Sequence, residues 1–336
     1  MAQTVAIGVD THKGMHVAVA LNEHGGELDD CSIAATLAGY SQLLGWAKRL
    51  GEPIFAVEGC GSYGMGLARF LAAQGALVHE AERPRRKDRK RGKNDLIDAR
   101  LAARCVLSGE GLSTPRSSGA ERELLRMLLA ERKGAVQAHT AAINQLHALV
   151  VTAPAELREQ LSGLSSARLV KTLARRRPAT DEAGAVLRRI AQRAESLQRE
   201  IQETYASLKK LAYELVPELL AQCGVGVISA AQLVVSSGDP RRMRNEAAFA
   251  ALAGTSPVDA SSGKQQRHRL NRGGDRQLNC ALHVISLQRV RRDPETAAYY
   301  QHLLATGKTK REARRCVKRA LARRLYPLLR QTPLTT

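Results

Sequence analysis

The segment TVAIGVDTHKGMHVAVAL, residues 4–21, decides how the first part of the chain folds. It contains two apolar runs rich in β-branched residues, 4–10 and 15–21, separated by the polar sequence THKG. Two such runs around a short polar turn predict a β-hairpin. A Gly-Gly pair then leads into a third predicted strand at residues 27–34. The first predicted elements are therefore three consecutive strands.

Downstream of the third strand, the sequence alternates between helical and strand patterns. The predicted helices are residues 37–50, 63–74 and 95–107, and the further predicted strands are residues 53–58 and 76–80. The order βββαβαβα is that of an α/β ribonuclease-H-like (RuvC-like) fold, in which helices flank a mixed sheet.

Four acidic residues lie at the ends of these predicted elements. Asp10 and Glu58 each close an apolar strand, while Asp95 and Asp98 begin the third helix and share one of its faces. In the predicted fold the three elements converge at one end of the sheet. Like charges gathered there are costly unless a cation holds them, and Mg²⁺ prefers oxygen ligands. The pattern predicts a Mg²⁺ site that could cleave phosphodiesters. The alternative for each acid alone is an exposed residue at an element end.

The charge balance indicates the class of partner. The 336 residues carry 52 Lys and Arg against 32 Asp and Glu, which gives a net charge of +20. An excess of this size favours binding of nucleic acid, with a merely basic or ribosome-associated protein as the alternative. Aromatic residues make up only 3% of the chain, so binding is expected to depend on charge and backbone shape more than on base stacking.

The sequence predicts a cytoplasmic protein without a membrane partner. No apolar run approaches the roughly 20 residues of a membrane span, and no export signal is apparent. The cysteines are scattered without a CxxC pair, as expected for reduced thiols and not for zinc ligands or disulfides. They are Cys31, Cys60, Cys105, Cys223, Cys280 and Cys316.

A strongly basic segment, RPRRKDRKRGK, lies between the fifth strand and the acidic helix, with eight Lys or Arg in residues 83–93. Because it adjoins the predicted metal site, we expect it to bind phosphates, although such runs are often solvated loops. The candidate nucleic-acid-binding residues are Arg83, Arg85, Arg86, Lys87, Arg89 and Lys90.

Residues 117–216 are predicted to follow a first domain, 1–116, as an α-helical coiled-coil spacer. A helix is expected at 121–151, and a second, at 187–215, keeps heptad spacing. This pattern favours a helical hairpin or a coiled coil that dimerises the protein, with packing inside one chain as the alternative. The basic segment 153–180 between the helices is expected to be irregular.

Residues 217–336 are predicted to form a third, mainly helical domain. The sequence GVG at 224–226, followed by a helix of small residues, resembles a helix–hairpin–helix motif. A Ser/Gly/Arg-rich loop, a helix at 278–291, a turn at Asp293-Pro294 and a basic final helix follow. The final helix could also lie on a membrane surface, but without aromatic anchors nucleic acid is favoured. The candidate contacts here are Lys264, Arg267, Arg269, Arg272, Lys318 and Arg319.

Taken together, the motifs resemble those of the insertion-sequence-110 family of transposases, which are DEDD recombinases related to Piv-type invertases. The motifs that carry the resemblance occur in order along nearly the whole chain. They are GVDTHK, AVEGCGSYG, KNDLIDARLAA, GVGVISAAQLV, LAGTSPVDASSGK and LNRGGDRQLNCALH.

The resemblance implies a role for particular residues and partners. Asp10, Glu58, Asp95 and Asp98 would bind Mg²⁺ in a RuvC-like domain, and Ser262 would be the nucleophile that links covalently to cleaved DNA. From spacing alone the sequence SSGK is a polar turn, and Ser261 is the second candidate. The family also implies a structured guide (bridge) RNA, target and donor DNA, and a homo-oligomer (dimer or tetramer) in the bacterial cytoplasm, nucleoid-associated when bound to DNA.

The expected function is that of a transposase or site-specific recombinase that uses Mg²⁺-bound carboxylates and a serine. One alternative is a RuvC-like junction resolvase or nuclease that activates water. A second is a non-catalytic nucleic-acid-binding protein whose acids only cap helices.

Overall fold

The computed structural model describes residues 3–82, 94–115, 119–176, 182–259, 268–269 and 271–331. The chain divides into two compact units, Met1–Ser117 and Ser118–Thr336. The three-domain division, with a boundary at residues 216 and 217 inside the second unit, stays a prediction.

The first unit is a mixed β-sheet with helices on both faces. Its strands are β1 (Thr4–Thr11), β2 (Met15–Leu21), β3 (Glu27–Ala34), β4 (Glu52–Glu58), β5 (Leu77–Ala81) and β6 (Leu112–Ser113), and its helices are α1 (Leu37–Leu50), α2 (Met65–Ala73) and α3 (Asp95–Ser108). The α/β character expected for this region is confirmed. The sequence patterns missed β6, which has only two residues.

The sheet has the strand order β3-β2-β1-β4-β5-β6. β1 pairs antiparallel with β2 and parallel with β4, and β5 is parallel to β4. On one face of the sheet, a hydrophobic core includes residues of the strands, α1 and α2, such as Ile7, Leu43 and Phe55. On the other face, Ala6 and Ala56 belong to clusters that contain alanines of α3.

The second unit is mostly helical. Its helices are α4 (Ala120–Val151), α5 (Ala155–Leu161), α6 (Ser166–Arg175), α7 (Glu182–Leu215), α8 (Pro217–Leu220), α9 (Val227–Ser237), α10 (Glu246–Leu252), α11 (Arg276–Arg292), α12 (Pro294–Ala305) and α13 (Lys310–Gln331). A two-stranded ladder joins β7 (Val258–Asp259) to β8 (His268–Arg269).

The long helices α4 and α7 pack against each other in an antiparallel hairpin. Leu125, near the start of α4, shares a core with Leu208 near the end of α7. At the opposite end Leu146 of α4 shares a core with Leu187 and Ile190. Many of the heptad residues are therefore buried within one chain. A coiled coil that joins two subunits stays a prediction.

The expectation of an irregular segment at 153–180 is wrong for its described residues, because α5 and α6 lie there. Apolar residues of α6 recur at helical spacing, and Leu169, Val170 and Leu173 pack in the core between α4 and α7. The basic residues between them concealed this stripe. The turn expected at Asp293-Pro294 leads into α12, which was also not predicted.

The GVG sequence forms the turn between α8 and α9. Gly224 adopts a φ of +79°, and a Cβ built on it would lie 3.1 Å from the Ile285 carbonyl oxygen of α11. Glycine therefore suits both the backbone conformation and the close packing of this turn. Within the described part of the chain, no helix is long and apolar enough to cross a membrane.

Candidate metal centre and nucleic-acid interface

Asp10 and Glu58 lie at the carboxyl ends of two adjacent parallel strands. β1 and β4 are in register at Val9 and Val57, so the two acids occupy equivalent positions one residue further along. Since Ala6 and Ala56 face α3 and side chains alternate along a strand, Asp10 and Glu58 also face α3. The hydroxyl of Thr11 donates a hydrogen bond of 2.8 Å to the Glu58 carbonyl, which ties the two strand ends together.

Helix α3 lies very close to β1. A Cβ built on Gly8 would be 2.0 Å from the Ala99 carbonyl oxygen and 2.2 Å from the Ala103 nitrogen. Only the absence of a side chain at Gly8 permits this approach. Asn94 caps the helix, because its side-chain oxygen accepts a hydrogen bond of 3.1 Å from the Leu96 nitrogen. The cap and the close packing place Asp95 and Asp98 beside the end of β1.

The carboxylates of Asp10 and Asp95 both approach the His12 imidazole. Nε2 of His12 is 3.3 Å from an Asp10 oxygen and 3.3 Å from an Asp95 oxygen. Asp10, His12 and Asp95 each offer one potential ligand atom, and these three atoms all lie within 4.8 Å of one another. In the part of the chain that the structure describes, these three residues form the group compatible with a metal ion.

His12 was not among the predicted metal ligands, because it lies in the predicted polar turn THKG. A signal was available, because Asp10 and His12 are two residues apart and residues at that spacing in an extended chain face the same side. An imidazole nitrogen is also a common metal ligand. The sequence did not show that the same ring reaches Asp95, which is distant in the chain.

Burial and neighbouring charges raise the pKa of Asp10. Removal from water has the largest effect, since only 7% of the residue is exposed. The negative charges of Asp95 and Asp98 raise the pKa further, whereas His12 lowers it. The ionised Asp10 carboxylate is thus held in an unfavourable environment that a divalent cation would relieve. An oxygen-rich site with an additional imidazole suits such a cation.

The four predicted metal ligands therefore differ in how closely the structure associates them. Asp10 and Asp95 meet at His12, and Asp98 is close enough to affect the pKa of Asp10. Glu58 and Asp98 are buried, with 8% and 5% of each residue exposed, and both lie outside the three-residue group. Glu58 shares the sheet face and strand end with Asp10. Binding of one cation by all four acids stays a prediction.

Several predicted site residues lie outside the described residues. They are Ser262 and its alternative Ser261, together with Arg83, Arg85, Arg86, Lys87, Arg89, Lys90, Lys264 and Arg267. Among the described candidates, Arg269 and Arg319 line a cavity of about 650 Å³. Arg272 and Lys318 line a second cavity of about 490 Å³. Both cavities belong to the second unit.

Two family models match parts of this chain. A family model described as a transposase, the DEDD transposase of IS110, matches residues 7–153. A second model, described as "Transposase IS116/IS110/IS902 family", matches residues 218–301. The fold and the acidic site thus occur in a chain with two transposase-type segments.

One curated protein that the chain resembles is the "Insertion element IS110 uncharacterized 43.6 kDa protein" of Streptomyces coelicolor (strain ATCC BAA-471 / A3(2) / M145). The two are 35% identical over 120 residues, which are 35% of this chain and 30% of the relative. The aligned part therefore spans about a third of the relative's length. The chain belongs to the IS110 family of transposases.

Proposed function

We propose that the protein is a metal-dependent transposase that cleaves and rejoins the DNA of a mobile element. The observation that carries the proposal is the meeting of Asp10 and Asp95, distant in sequence, at the end of β1. Family membership and the net charge of +20 support DNA as the substrate. The strand order β3-β2-β1-β4-β5 supports a ribonuclease-H-like first unit.

Asp10 and Asp95, with Glu58 and Asp98 beside them, would hold Mg²⁺. The bound cation would supply charge stabilisation at the phosphate that is cleaved. The residues themselves have a positioning role. Thr11 fixes the ends of β1 and β4 relative to each other, and Gly8 allows α3 to bring its carboxylates to them. His12 would orient the Asp10 and Asp95 carboxylates through its Nε2 atom.

We further propose that Ser262 is the nucleophile, on the basis of the family resemblance. Attack of its Oγ on a DNA phosphorus would form a phosphoserine bond and release a deoxyribose hydroxyl, with the serine proton passing to solvent or a base. Strand exchange would reverse the step, as the incoming hydroxyl displaces the serine. A guide RNA and a homo-oligomeric assembly belong to the same proposal.

Cleavage assays on a DNA substrate test the metal centre. Asp10→Asn and Asp95→Asn should each reduce Mg²⁺-dependent strand cleavage by about 100-fold or more, because each removes an anionic ligand. Asp30→Asn is the matched control, since Asp30 is an exposed acid of β3, two strands away from β1. Cleavage by Asp10→Asn at the rate of the Asp30→Asn control would overturn the proposed function.

Trapping of a covalent protein–DNA adduct separates a serine recombinase from a resolvase that activates water. The wild-type protein should retain labelled DNA through denaturation, whereas Ser262→Ala should not. Ser261→Ala is the control and should retain the adduct. An adduct that persists in Ser262→Ala would exclude the serine assignment, and cleavage without any adduct would favour the resolvase mechanism.

A further inference from the structure

A cavity in the second unit, separate from the acidic site, is surrounded by cationic residues. It has a volume of about 490 Å³, within the range of about 300–1,000 Å³ typical of ligand pockets. Its lining includes Arg272, Arg276, Asn279, His283 and Lys318. Among the described lining residues none is acidic. A cavity of this composition is suited to an anion.

The most informative lining residue is Lys318, because only 7% of it is exposed although it lies on the basic helix α13. The sequence pattern predicted it as a nucleic-acid contact of the basic final helix. In the structure its Nζ donates a hydrogen bond of 2.8 Å to Oδ1 of Asn279. An ammonium group has three N–H donors, so this bond leaves donor capacity for a ligand in the cavity.

Asn279 is itself fixed in one orientation. Its Nδ2 donates a hydrogen bond of 2.7 Å to the Ala253 carbonyl oxygen, which turns Oδ1 toward Lys318. A chain of two hydrogen bonds therefore runs from the backbone after α10 to the Lys318 ammonium. This arrangement holds the end of a long side chain at the cavity wall.

The loop that carries Arg272 is packed tightly against the same backbone. A Cβ built on Gly274 would lie 2.3 Å from the Gly254 nitrogen. The Asp275 nitrogen donates a hydrogen bond of 2.6 Å to the Leu252 carbonyl oxygen. The Asp275 side chain caps α11, which begins at Arg276. The positions of Arg272, Arg276 and Asn279 are thus set by one rigid junction between α10 and α11.

Among the described residues, the charges that act on the Lys318 ammonium are mainly positive. Burial lowers the pKa of its ammonium, and the positive charges of Arg315 and Arg314 lower it further, whereas Cys280 raises it. Burial also lowers the pKa of His283, and the positive charges of Lys318 and Arg314 lower it further. A buried cation next to other cations is costly unless an anion neutralises them.

We propose that this cavity is a binding site for a single phosphate group of a nucleic-acid backbone, held by Lys318, Arg272 and Arg276. The inference rests on the proposed function, because it takes DNA as the source of the phosphate. Asn279 is a positioning residue, which acts through Lys318. Occupation of the cavity would set the register of the strand on the second unit, as phosphate contacts do in other protein–DNA complexes.

The test measures binding of a labelled DNA oligonucleotide by the full-length protein in the absence of divalent metal. Lys318→Gln and Arg272→Gln should each weaken binding by about 10-fold or more, because a hydrogen bond to a charged group contributes about 1.5–3 kcal/mol. The control is Arg292→Gln, which removes the same charge from the exposed far end of α11. The control should change affinity by less than about 3-fold. Equal losses in all three variants would overturn the proposal.

Replacement of individual phosphates by neutral methylphosphonates identifies the phosphate that is bound. One position should weaken binding to the wild-type protein but have little additional effect on Lys318→Gln, since the two changes remove the same interaction. If the loss of binding caused by a methylphosphonate adds to the loss caused by Lys318→Gln at every position, the cavity does not bind one backbone phosphate. Arg272→Gln gives the same test at an exposed residue should Lys318→Gln fail to fold.

Three further measurements assign the source of the phosphate and the role of Asn279. An RNA oligonucleotide of the same sequence distinguishes a DNA site from an RNA site. If Lys318→Gln and Arg272→Gln weakened binding of RNA but not of DNA, the DNA assignment would be overturned. The site would instead bind free phosphate if two results occurred together. Inorganic phosphate would protect the wild-type protein from unfolding, and the variants would bind oligonucleotides as tightly as the wild-type protein does. Asn279→Leu should weaken binding only while Lys318 is present. None of these assays requires cleavage, so their failure is distinguishable from failure of the metal centre.

Discussion

At the scale of the single residue, the environment of Asp10 disfavours its ionised carboxylate unless a cation is bound. Its carboxylate is buried next to Asp95 and Asp98, and the pKa is raised above its ordinary value of 3.8. The folded protein therefore retains a proton on Asp10 at pH values where the unfolded chain has lost it. Stability of the metal-free protein should fall as pH rises through this raised pKa.

Asp10→Asn should accordingly stabilise the metal-free protein above the raised pKa. We expect the unfolding temperature to rise by roughly 2–4 °C, which corresponds to about 1 kcal/mol. The difference from the wild-type protein should disappear at low pH, where Asp10 is protonated. Thermal unfolding in a chelator at several pH values measures this effect.

Addition of Mg²⁺ should reverse the ranking of the two proteins. The wild-type protein should be stabilised, and more so at higher pH, because the metal competes with the proton on Asp10. The Asp10→Asn protein should respond little. A wild-type protein that is indifferent to Mg²⁺ at every pH would contradict the predicted metal centre.

At the scale of the element, the packing of α3 on β1 depends on Gly8. Gly8→Ala places a Cβ about 2 Å from backbone atoms of α3, which cannot move aside as a side chain could. We expect a loss of about 3 kcal/mol in the free energy of unfolding, at the upper end of the usual cost of overpacking. Displacement of α3 should also weaken stabilisation by Mg²⁺, since Asp95 moves with the helix. Denaturant unfolding with and without Mg²⁺ measures both effects.

Gly45→Ala is the matched control for this change. Gly45 lies inside α1. Apart from its two neighbours in the chain and the adjacent backbone of α1 itself, no heavy atom lies within 4 Å of a Cβ built there. Alanine favours a helix over glycine, so this variant should gain up to about 1 kcal/mol. If Gly8→Ala behaved like Gly45→Ala, the close approach of α3 and β1 would not hold in solution.

At the scale of the whole molecule, the net charge of +20 determines how binding should respond to salt. Each phosphate that the protein neutralises releases condensed counterions, so affinity falls steeply as salt increases. With about six to ten phosphate contacts, affinity for DNA should fall by about 10³–10⁵ between 50 and 200 mM salt. Titration of duplex DNA over this range measures the slope. A slope near zero would contradict binding through the backbone.

The amino-acid pattern by itself predicted most elements of the first unit, because most of its strands and helices have a clear apolar period. It also placed the four acids at element ends. It failed at α5 and α6, where basic residues hide a short apolar stripe, and it left the role of the heptad residues open. The same spacing suits packing against another subunit or against α4, so the sequence could not choose the partner.

Tertiary structure alone decided which side chains meet. The contacts of His12 with Asp10 and Asp95 depend on how closely α3 packs on β1, and the buried Lys318 is hydrogen-bonded to Asn279, 39 residues away. Local periodicity reports the conformation of a segment and the face that it buries. The approach of groups from distant segments is set by packing across the sheet and between helices, which no local pattern records.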